Sequence, residues 1–103
     1  MNELLEDVEK IAYKSLTAFG FEEEDVIKLV KQAKKDLVSN LEKLKLQLSN
    51  NPIDKVELSN VLHAIKGLLF QMGDHSRAEQ INEIREDIDS NESLTDIKKL
   101  LLA

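Results

Sequence analysis

The chain has 103 residues, 33% of them charged, and a formal net charge of −6 at pH 7. That length leaves room for a single domain, 1–103, and the acidic balance argues against nucleic acid, which rewards Lys and Arg with counterion release. With no cysteine, a disulfide framework and a thiolate metal centre are both excluded.

Apolar residues recur at helical spacing along the whole chain. A first helix is predicted from about Asn2 to Thr17, with Leu4, Leu5, Val8, Ile11, Ala12 and Leu16 on one face and Gly20 as its stop. Its acidic residues Glu3, Glu6, Asp7 and Glu9 argue against a secretory signal. A second helix opens on Glu22, Glu23, Glu24 and Asp25, where the helix dipole favours carboxylates. It continues through Val26, Val30, Ala33, Leu37, Leu41, Leu44 and Leu48. Asn50-Asn51-Pro52 breaks it, with Asn51 as the expected cap and Pro52 as the first position of a third helix.

The third helix reaches Met72 and is stopped by Gly73. A fourth is predicted from about Ser76 to Asp89 on the stripe Ala78, Ile81, Ile84 and Ile88, and a short fifth after Asn91 on Leu94, Ile97, Leu100 and Leu101. Short connections make consecutive helices antiparallel. The predicted fold is all-α, an up-down four-helix bundle with one additional short helix. The longest apolar runs, Leu68–Phe70 and Leu100–Ala103, fall far short of a membrane span. A cytoplasmic protein is expected.

Gly67 breaks the pattern. It lies inside the third helix, where glycine costs about 1 kcal/mol relative to alanine. Close packing against a neighbouring helix is the ordinary explanation. On the helical wheel, however, Leu58, Val61, Leu62, Ile65, Leu68, Leu69 and Met72 form the core arc, and Gly67 lies on the other side. Ser59, Asn60, His63, Lys66 and Phe70 share that outer side, with His63 almost opposite the core. Lys66 stands one turn from His63, where its ammonium can sit beside anything negative on the ring. His75 is expected on another face, and two histidines make no metal site. No Gly-rich phosphate loop or nucleophile elbow is present, so no ATP-dependent kinase activity is expected.

His63-Ala64-Ile65-Lys66-Gly67, followed by Gly73, resembles the H-x-x-K-G…G signature of histidine-containing phosphotransfer (HPt) domains, and the helical layout is similar over most of the chain. The resemblance implies that His63 is a phosphoacceptor taking a phosphoryl group from the aspartate of a response-regulator receiver domain and passing it to another. Lys66 would offset the charge on the phosphoryl oxygens and Gly67 would leave them room. The receiver brings its own carboxylates and magnesium ion, so this chain needs no cofactor and no metal. Catalysis of this kind is mostly positioning and charge stabilisation. The implied partners are receiver domains, with a hybrid sensor kinase as a further candidate, and neither nucleic acid nor membrane. A monomer is expected.

Phe70, Val56, Ser59 and Asn60 are the expected docking residues around His63, although Phe70 is either exposed for a partner or covered by a neighbouring helix. Leu68, Leu69 and Phe70 are bulkier than the small residues that often follow Lys-Gly in the family. Asp74, Arg77 and Arg85 also depart from its usual pattern. Two other readings stay open: a degenerate HPt-like bundle that binds partners without carrying phosphate, and an unrelated helical interaction module.

Overall fold

A computed structural model describes residues 2–102, and its ordered elements are all helical. They are α1 (Asn2–Ala18), α2 (Glu23–Ser49), α3 (Lys55–Gln71), α4 (His75–Glu86) and α5 (Asn91–Ile97), followed by a π-helical turn over Lys98–Leu102. Met1 and Ala103, the last residue of the C-terminal apolar run, lie outside the described residues. None of the described helices is long and apolar enough to cross a membrane.

The apolar stripes find one another. Val8 and Ala12 of α1, Leu37, Leu41 and Leu44 of α2, Leu58, Leu62, Ile65 and Leu69 of α3, and Ile81 of α4 are all fully buried in one core. Each large side chain removed from water contributes roughly 1.5–3 kcal/mol. α5 and the π-helical turn add Ile97 and Leu101 to the same cluster. Each of the first three helices packs on the next, and α4 packs on α5. α2, with 27 residues, is about 40 Å long and sets the long dimension of a body measuring 46 × 21 × 21 Å.

Three boundaries differ from expectation. α3 begins at Lys55 and not at Pro52, because Asp54 is the better cap: its Oδ1 accepts from the amides of Val56 (3.1 Å) and Glu57 (3.2 Å). Pro52 lies in the connector, after a cis Asn51–Pro52 peptide. α4 begins at His75, one residue early, under an Asp74 cap. It ends at Glu86 and not near Asp89, although the apolar stripe runs on to Ile88. The chain turns there so that Ser90 can cap α5, accepting from the Ser93 amide at 3.1 Å.

The corner between α3 and α4 carries the most specific local structure. Gly73 closes α3 at φ +89, with its amide bonded to the Phe70 carbonyl and the Asp74 amide bonded to the Leu69 carbonyl. This is the paired closure a left-handed glycine permits. A Cβ at Gly73 would also overlap the Ser15 side chain of α1. Asp74, only 4% exposed, accepts from the Arg77 amide (3.2 Å) and from Arg77 NH1 (2.7 Å). Arg77 NH2 reaches Asp7 of α1 at 3.2 Å. Asp74 and Arg77 thus pair with each other, and Arg77 links α4 to α1.

Candidate functional site

α3 presents its outer face as the wheel requires. Leu58, Leu62, Ile65, Leu69 and Met72 are buried, Val61 and Leu68 are half-buried, and His63, Asn60 and Val56 are exposed. Lys66 and Ser59 are half-buried at the edge where α4 lies against α3, and Gly67 is half-buried by its own helix. His63 therefore stands on a rigid helix with its imidazole toward solvent, held in place by the apolar contacts on the opposite side of the same turns.

The space around Gly67 is open. A Cβ built on it meets no side chain, and nothing of another helix, within 4 Å. Close helix packing does not explain this glycine.

α4 supplies polar side chains that the sequence did not single out for this site. Arg85 NH1 lies 3.2 Å from Nδ1 of His63, and Arg85 Nε donates to Ser59 Oγ at 3.2 Å. Lys66 Nζ donates to Asn82 Oδ1 at 3.3 Å. Lower numbers on α3 meet higher numbers on α4, the register of antiparallel neighbours. Asn82 and Arg85 are one turn apart on α4, so one face of that helix serves both Lys66 and His63. Two cations, Lys66 and Arg85, thus lie along the side of His63 that faces α4. The spacing of 82 and 85 is detectable in sequence, but their partners are contacts between helices.

The expected docking residues divide. Val56 (70% exposed) and Phe70 (57% exposed) are apolar and reach solvent on the same side as His63. Asn60 is exposed between them in sequence, whereas Ser59 is turned into the Arg85 contact. His75 does not lie apart from this face: its ring stacks on Phe70, with centroids 4.4 Å apart and planes at 27°. Among the described residues no group of three or more His, Cys, Asp or Glu is placed to hold a metal ion.

No protein-family model matches the chain, and no curated protein or solved structure is significantly similar to it.

Proposed function

We propose that this chain is a cytoplasmic, monomeric histidine phosphocarrier built as an HPt-like up-down four-helix bundle with a short extra helix. His63 accepts a phosphoryl group from a receiver-domain aspartate and passes it to another receiver. A ring nitrogen attacks phosphorus, the P–N bond forms, and the acyl-phosphate P–O bond breaks. The aspartate carboxylate leaves with the electron pair, and the ring proton passes to solvent. Lys66 and Arg85 offset the charge on the phosphoryl oxygens, and magnesium belongs to the receiver.

The observation that carries this reading is Gly67, a mid-helix glycine that packs against nothing, one turn from an exposed histidine. Its conformational cost is borne without any return in packing, which fits a role in leaving room beside the ring. A second reading, a bundle that docks receivers without carrying phosphate, is favoured by the guanidinium of Arg85 lying against His63.

One experiment separates them. The protein is incubated with phosphorylated receiver domains, one at a time, beside its His63→Gln and His75→Gln variants. The carrier reading expects an acid-labile label that His63→Gln loses and His75→Gln keeps, and no label from ATP and magnesium alone. Receiver binding without any label would establish the docking module instead.

A further inference from the structure

Resting on the phosphocarrier reading, we propose that Arg85, before it pairs with the phosphoryl oxygens, caps Nδ1 of His63 and holds the ring as its Nε2–H tautomer until a phosphoryl group draws the guanidinium away. A guanidinium has donors only. At 3.2 Å from Arg85 NH1, Nδ1 must therefore be the acceptor, which leaves the ring proton of the neutral imidazole on Nε2.

The consequence is chemical. Attack on phosphorus needs an in-plane lone pair, and in the capped ring the only one is already bound to Arg85. The other ring nitrogen carries a proton and is not a nucleophile. The cap is itself held: Arg85 Nε donates to Ser59 Oγ, one turn before His63 on the same helix, and Arg85 is half-buried.

Release needs a better acceptor than a neutral ring nitrogen. A phosphoryl dianion is one, because it meets the guanidinium with opposite charge and can accept two parallel N–H···O bonds, whereas the ring offers a single neutral lone pair. Arrival of the donor phosphate uncaps the ring, the proton relocates to Nδ1 through water, and Nε2 gains the lone pair that attacks. Ser59 keeps the guanidinium close enough to pair with the phosphoryl oxygens. His63 is then unreactive until its substrate is in place.

The test is nitrogen NMR of the His63 ring in the full chain, above the pH range in which an imidazole titrates. The wild type should show a pyridine-like Nδ1 and a pyrrole-like Nε2. Arg85→Glu places an acceptor there, and the two nitrogens should exchange those signatures. Arg85→Lys, still only a donor, should keep the wild-type pattern. Adding inorganic phosphate to the wild type should move the ring toward a mixture of tautomers, while chloride at matched ionic strength should not.

A wild-type ring protonated on Nδ1 would overturn the cap, and this result needs no variant to fold. An unchanged ring in phosphate, or an equal response to chloride, would overturn the release. Neither result bears on whether receivers label His63. Conversely, a failed transfer assay with the expected tautomers would refute the carrier reading and leave the cap standing.

Discussion

Gly67 and Gly73 belong to the same stretch of chain, and their surroundings could hardly differ more. Gly73 stands at φ +89 with Ser15 of α1 where a side chain would be, and two backbone hydrogen bonds close over it. Gly67 has helical neighbours on both sides and open space where its side chain would be. At the corner, glycine is required by the backbone and by the approach of α1. On the outer face of α3 neither requirement exists, and the residue is a worse choice than alanine for folding. A glycine that the fold needs and one that the fold would do without are distinguished by what a Cβ would touch.

Substitutions at the two positions should therefore have opposite signs. Gly73→Val strains a left-handed backbone and drives a branched side chain into Ser15, so it should destabilise by about 3 kcal/mol or more in urea unfolding. Stability close to wild type would mean that the α3–α4 corner is not closed as described. Asp74→Ala removes the α4 cap and the inner partner of Arg77, for a loss of about 2 kcal/mol. Calorimetry of the variant beside Asp7→Ala would show how much of that loss belongs to the contact with α1.

Smaller effects are expected on the outer face. Phe70→Ala should weaken receiver binding by about 1–2 kcal/mol, measured by titration calorimetry. Its stability should fall by no more than about 1 kcal/mol, the scale of an exposed aromatic pair with His75. A larger loss of stability with unchanged binding would place Phe70 among the packing residues. Gly67→Ala should stabilise the protein by up to about 1 kcal/mol. Gly67→Leu should fold as well, yet crowd the ring and slow transfer. A destabilised Gly67→Ala would contradict the contrast between the two glycines, and wild-type transfer by Gly67→Leu would contradict its meaning.

The core was legible because burial imposes the helical period directly: Leu58, Leu62, Ile65 and Leu69 could be assigned from spacing alone. Boundaries were less so. Asn51-Pro52 has the form of a helix start, but Asp54 binds two amides, and propensity could not weigh those bonds against the Pro pattern. The stripe through Ile88 likewise favours a longer α4, yet the Ser90 cap ends it sooner.

At the site, Gly67 stood out because a mid-helix glycine on an outer face is a cost without a packing return, and His63 and Lys66 because they share that face within one turn of it. Asn82 did not, since a polar residue on an amphipathic helix needs no explanation until its neighbour is known, and Arg85 was marked as a departure from the family pattern without any sign that it meets His63. Arg77 was conspicuous only as a departure from a family pattern. Its pairing with Asp74, three residues earlier, was in principle readable as a capped first turn.

The central claim is that His63 carries the phosphoryl group, and mapping the modified residue tests it most directly. The chain, labelled by a phosphorylated receiver and kept alkaline, is digested and fragmented in a mass spectrometer. The phosphoryl mass should fall on His63, with His75 and every hydroxyl residue unmodified. Its appearance on any other residue, or an unmodified chain after exposure to every receiver domain of the cell, would contradict the account.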